Sequence, residues 1–88
     1  MTKTIMLIMV GKRRETAVEV QKLLTEYGCS IKTRLGLHSA AGDQCTEDGL
    51  IILELAGDSS KHEELYGKLS SLSCLNVKME KMEINNCG

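Results

Sequence analysis

The sequence predicts an α+β fold of order βαββαβ: a four-stranded antiparallel sheet, strand order 4-1-3-2, with two helices on one face. Three observations carry this. The segments "TIMLIMV" and "GLIILEL" are apolar in both phases, as strands covered on both faces are. The segments over 30–37 and 74–84 alternate instead, as edge strands with one wet face do. The two halves also echo each other at a spacing of about 45 residues, Leu24, Tyr27 and Cys29 answering to Leu69, Leu72 and Cys74. A duplicated βαβ unit with right-handed crossovers gives a ferredoxin-like sandwich, here a single domain over 1–88.

The elements follow in order. Residues 3–10 form the first strand, which Gly11 ends. A helix is predicted over 13–27, with Ala17, Val20, Leu24 and Tyr27 on one stripe, Thr16 and Glu19 at capping-box spacing, and Gly28 as its stop. The second strand places Ile31, Thr33, Leu35 and Leu37 on one side and Lys32 and Arg34 on the other. The third strand spans 49–56. Asp58, Ser59 and Ser60 offer caps for a second helix reaching about Leu72, with Ser60 and Glu63 again at capping-box spacing and Leu65, Leu69 and Leu72 inward. Gly67 costs that helix about 1 kcal/mol against alanine, which predicts close packing there. The last strand turns Leu75, Val77 and Met79 inward and Lys78 and Glu80 outward. Met82 and Ile84 fall out of that phase, which predicts a bulge or an exchanged end.

Composition narrows the function classes. The chain has 88 residues, no Phe and no Trp, so its core is aliphatic. A domain this small buries only about 60% of its unfolded surface, and a partner chain often completes so thin a core. The net charge of −1 gives no bulk attraction to nucleic acid. No apolar run approaches the roughly 20 residues of a membrane span, and the basic cluster of "MTKTIMLIMVGKRR" follows its apolar run, opposite to a secretory signal. A cytoplasmic protein is expected, with its four cysteines reduced. Cys29 and Cys74 open opposite edge strands, about three spacings of 4.8 Å apart and beyond disulfide reach, and are expected in the core. Cys87, in the tail "NNCG", is expected to be exposed.

Two clusters carry candidate chemistry. His38 and Cys45, in a loop with Asp43, Glu47 and Asp48, offer imidazole and thiolate suited to zinc or nickel. A complete site needs about four ligands, so the preferred reading is a solvated loop. At about eleven residues that loop exceeds the usual 2–5 of a hairpin. The turn "GKRRET" sets Gly11, Lys12, Arg13 and Arg14 at the start of the first helix, where N–H groups and cations together suit a carboxylate or phosphate. Its plainer reading is a solvated basic turn paired with Glu15. His62 is expected at the surface. No catalytic constellation appears, so no enzyme activity and no cofactor are expected.

On the strand "TIMLIMV", Leu23-Leu24, Arg34-Leu35-Gly36, "LIILEL", Gly67-Lys68-Leu69 and Val77-Lys78, nearly the whole chain resembles the iron-only hydrogenase system regulators. These are ferredoxin-like domains related to ACT domains and to the C-terminal domain of the nickel-responsive regulator. The resemblance implies a role in transcriptional or hydrogenase-system regulation. It also implies effector binding near the first strand-to-helix turn, as in ACT domains, and, for His38 and Cys45, metal held across a subunit interface. With no ribbon–helix–helix segment ahead of the first strand, no direct nucleic-acid binding is expected.

A non-enzymatic regulatory or ligand-sensing domain is therefore predicted, with a small anionic effector. The alternatives are a metal sensor using His38 and Cys45, or an assembly module that docks another protein. A homo-oligomer, dimer or tetramer, is expected, because either phase of the first strand leaves three large apolar side chains on the uncovered face: Ile5, Leu7 and Met9, or Met6, Ile8 and Val10. The expected interface takes Met6, Ile8 and Val10 with Ile52.

Overall fold

Strands β1 (Thr2–Val10) and β3 (Gly49–Leu55) form the middle of a four-stranded antiparallel sheet, with β2 (Ile31–His38) beside β3 and β4 (Leu75–Glu83) beside β1. This β2-β3-β1-β4 order is the predicted 4-1-3-2 read in reverse. The computed structural model describes residues 1–38 and 49–85, His38 through its backbone alone. Helices α1 (Arg14–Glu26) and α2 (Ser59–Ser70) lie on one face. Val20 and Leu24 of α1 and Leu65 and Leu69 of α2 bury against Met6, Ile8, Leu53 and Leu55 of the two central strands. Each such side chain contributes about 1.5–3 kcal/mol by leaving water.

The register decides which phase of β1 faces the helices. Met6 stands opposite Leu53 and Met79, and Ile8 opposite Ile51 and Val77. Directly opposed residues share a face, so the phase carrying Met6, Ile8 and Val10 is the core, with Met6 and Ile8 fully buried. This corrects the expected interface: Met6, Ile8 and Val10 lie beneath the helices, and Ile5, Leu7 and Met9 look out. Ile52, opposite Leu7, is on the open face as expected.

β2 departs from its simple alternation. Ile31 stands opposite Leu55 but Thr33 opposite Glu54, so two steps on β2 match one on β3 and Lys32 is the extra residue of a bulge. Side chains beyond it change faces. Ile31 packs on the core, while Leu35 and Leu37 oppose Ile52 and Leu50 on the open face, 52% and 47% exposed. Arg34 and Gly36 take the helix side.

Several local expectations are also corrected, and one, the Asp58 cap, is met. α1 begins after Arg13, which gives no side-chain cap, so Thr16 is already inside the helix; its buried hydroxyl donates to the Ser73 carbonyl at 2.8 Å. The helix ends at Glu26 and runs into a 3-10 turn, Gly28–Ser30. Asp58 caps α2 by accepting from the Ser60 N–H at 3.5 Å, after Gly57 turns the chain at φ +79°. His62 is buried, with Nε2 2.7 Å from the Ala56 carbonyl, tying α2 to the end of β3. A Cβ at Gly67 would meet no atom of the described residues within 4 Å, so no close packing among them explains that glycine. Cys29 and Cys74 are exposed because each sits in the turn before an edge strand rather than within it. β4 pairs with β1 without a shift to Thr2 opposite Glu83, and the Ile84 N–H continues to the Met1 carbonyl at 2.8 Å. The last strand therefore has no bulge.

Candidate functional site

The basic turn is stitched to the turn between α2 and β4. The Gly11 N–H donates to the Cys74 carbonyl at 2.9 Å, and Arg13 Nη1 donates to Ser73 Oγ at 3.1 Å. A Cβ at Gly11 would stand 3.0 Å from that Cys74 oxygen, so glycine permits the approach. Cys74 itself takes the left-handed region at φ 57°. The Gly11 N–H is thereby committed and is no donor for an anion. Arg13 Nε also lies 3.8 Å from the Glu15 carboxylate, the pairing of the plainer reading. The side chains of Lys12, Arg13 and Arg14 remain exposed around the turn.

His38 is the last residue of β2, opposite Gly49 at the start of β3. Cys45, with Asp43, Glu47 and Asp48, lies outside the described residues, as does Cys87. Of the pair, only the backbone of His38 lies within the described residues. Among the described residues no three His, Cys, Asp or Glu side chains converge as a metal site, and no helix is long and apolar enough to cross a membrane.

The open face of the sheet is the larger feature. Ile5, Leu7 and Met9 of β1, Leu35 and Leu37 of β2, and Leu50 and Ile52 of β3 form its apolar part. β4 bounds this with Asn76, Lys78, Glu80 and Met82. Met9 and Met82 are 63% and 62% exposed, so large apolar side chains are left in water where no helix covers them. At the end near the start of β1, the Lys3 ammonium meets Glu54 at 2.6 Å, and Lys32 approaches the same carboxylate at 3.9 Å. Arg34, expected on the same side of β2 as Lys32 and away from the core, instead lies on the helix side and donates to Gln21 Oε1 of α1.

The hydrogen bond from Lys3 holds the Glu54 carboxyl below the usual carboxylate range, and Lys32 adds to this. Because the folded-state value is depressed, its stabilising contribution is complete above the usual glutamate value and is lost as pH falls through the depressed one. Water screens so open a pair, so the effect is small. Glu54→Gln is expected to flatten the fall in melting temperature between about pH 6 and about pH 3. A profile parallel to the wild type would show that the pair contributes nothing.

A cleft of about 170 Å³ opens on the other face, between α1 and the edge formed by β2 and β3. Val10, Val20, Ala17 and Ile51 line its apolar part, and Gln21 and Arg34 its polar mouth. It exists because β2, once past Ile31, presents Arg34 and Gly36 to the helix side where the opposite edge presents Leu75, Val77 and Met79. The cleft was not among the sites expected from sequence, although a glycine and an arginine on one face of an edge strand were the available signal; the outward phase of β1 was one of two alternatives, and the expected interface took the other.

Three solved structures show how far the architecture is shared. An uncharacterized protein from Thermotoga maritima, TM1266, aligns over 94% of this chain and 100% of its own, at 25% identity and a TM-score of 0.79. The ACT domain of the GTP pyrophosphokinase of Chlorobium tepidum aligns over 92% and 96%, at 12% identity and 0.57. The fold is ACT-like. The same sandwich recurs in CPII of Thiomonas intermedia K12, a nitrogen regulatory PII-like protein solved with ADP, AMP and acetate, over 97% of this chain and 90% of that one at 14% identity and 0.56. No family model matches the chain, and no curated protein matches it.

Proposed function

We propose that the chain is a non-enzymatic regulatory domain that senses a small ligand and works as a homo-oligomer, serving an iron-only hydrogenase system as its resemblance implies. The observation that carries the reading is the open sheet face, an apolar surface of three strands bounded by charge, in an ACT-like fold. A second copy is the occupant it suits: an apolar centre with a polar margin is the anatomy of a protein contact, and a two-fold axis lets one patch cover itself. Lys78 and Glu80, side by side on β4, give each copy both signs of charge to offer the other. The sensing half of the reading is supported by the fold shared with an ACT domain and with CPII, which holds nucleotides and acetate.

A thermal-shift panel of amino acids, nucleotides and simple anions tests the sensing half. At least one is expected to raise the melting temperature, since a ligand at 100 times its Kd stabilises by about 2.7 kcal/mol. A flat response across all three classes contradicts it. For the basic turn, Arg13→Ala combined with Arg14→Ala is expected to abolish any rise produced by an anion; a rise that survives the double substitution places the anion elsewhere.

A further inference from the structure

Gly36 stands in β2 with its absent side chain aimed at the helix side, and no described residue fills the space. A Cβ built there meets no atom of the described residues within 4 Å. A strand glycine costs entropy and packing, and its usual justification is close approach by another backbone. Here the justification is the cleft itself. Its apolar part is lined by Val10, Ala17, Val20 and Ile51, and its volume of about 170 Å³ is similar to that of an apolar cavity, about 150 Å³, that takes up benzene. At the mouth stands the Arg34 guanidinium, exposed, with neutral Gln21 as its hydrogen-bond partner and no carboxylate ion-paired to it among the described residues.

We propose that this cleft binds a small branched aliphatic carboxylate, its hydrocarbon end between α1 and the sheet and its carboxylate on Arg34. The volume admits a body of a few carbons. The guanidinium fork matches a carboxylate in two parallel N–H···O bonds, and Gln21 holds the fork at the mouth. Occupancy bridges α1 to the β2 edge, which the core does not otherwise fill on this side. The site is separate from the basic turn, and it rests on the reading of the chain as a ligand-sensing domain.

Isovalerate is the probe, followed by amide chemical shifts on isotopically labelled protein, with 3-methylbutan-1-ol and acetate as the uncharged and the truncated controls. Isovalerate is expected to shift Gln21, Gly36 and Ile51 and to bind more tightly than either control. Arg34→Gln is expected to weaken it at least about tenfold, the loss of a charge-assisted bond. Gly36→Val, with room for its side chain and a residue suited to strands, is expected to keep the fold and abolish binding; Gly36→Ala serves if it does not fold. Absence of shifts at the cleft, or equal affinity in wild type and both variants, overturns the proposal. If a panel ligand still raises the melting temperature of Gly36→Val as it does that of the wild type, sensing stands and the cleft falls. If neither the panel nor isovalerate has any effect on the wild type, both fall.

Discussion

An Ile8→Lys variant is expected to be unfolded, whereas Leu7→Lys, one residue away, is expected to fold and to lose self-association. Ile8 is fully buried between the helices and its neighbours Ile51 and Val77. An ammonium there has no partner, and an uncompensated buried charge costs about 3–5 kcal/mol before the lost packing is added. Protein stabilities run at about 5–15 kcal/mol, with small domains at the low end, so the variant loses its fold. Leu7 faces the other way, opposite Ile52 and Lys78. A lysine at that position reaches water in the monomer, and only a covering partner would bury it. Circular dichroism separates the two: helical signal retained in Leu7→Lys and lost in Ile8→Lys. A folded Ile8→Lys would reverse the assignment of faces.

The second large effect belongs to Thr16. Its hydroxyl donates to the Ser73 carbonyl at 2.8 Å and, with the Gly11 to Cys74 bond, fastens the start of α1 to the turn before β4. Thr16→Val keeps the shape but strands a half-buried carbonyl, a loss of about 1–3 kcal/mol. At about 4–8 °C per kcal/mol for a domain of this size, the melting temperature is expected to fall clearly. Thr16→Ser keeps the donor and is expected to fall less. Equal losses in the two would show that the methyl group, not the hydrogen bond, matters.

What the sequence revealed and concealed has a physical pattern. Element order, strand positions and the sheet arrangement were legible because long apolar runs and alternating runs report burial on two faces or one. The outward phase of β1 was not, because Ile5, Leu7 and Met9 are as apolar as Met6, Ile8 and Val10. Only pairing with β4 decides it, since the inward Val77 and Met79 stand opposite Ile8 and Met6, and that register is not written in either strand alone. β2 misled for a related reason. Its alternation is genuine, but the bulge at Lys32 turns Leu35 and Leu37 away from the core. Thr16 and Glu19 have the spacing of a capping box, yet the helix starts two residues before Thr16, so the hydroxyl is free to bond across the fold. The basic turn was found where expected, while its Gly11 N–H proved to be spent on Cys74. The cleft was missed because it is made by what β2 lacks, and absent volume becomes visible only once α1 is seen above Gly36.

The proposed assembly covers the open face of the sheet with a second copy of the chain. The most direct measurement is the molar mass of the purified, untagged protein at micromolar concentration by multi-angle light scattering. The predicted result is two or four times the 9.7 kDa of one chain, falling to one in Leu7→Lys. A stable, well-folded wild-type protein of 9.7 kDa would contradict it.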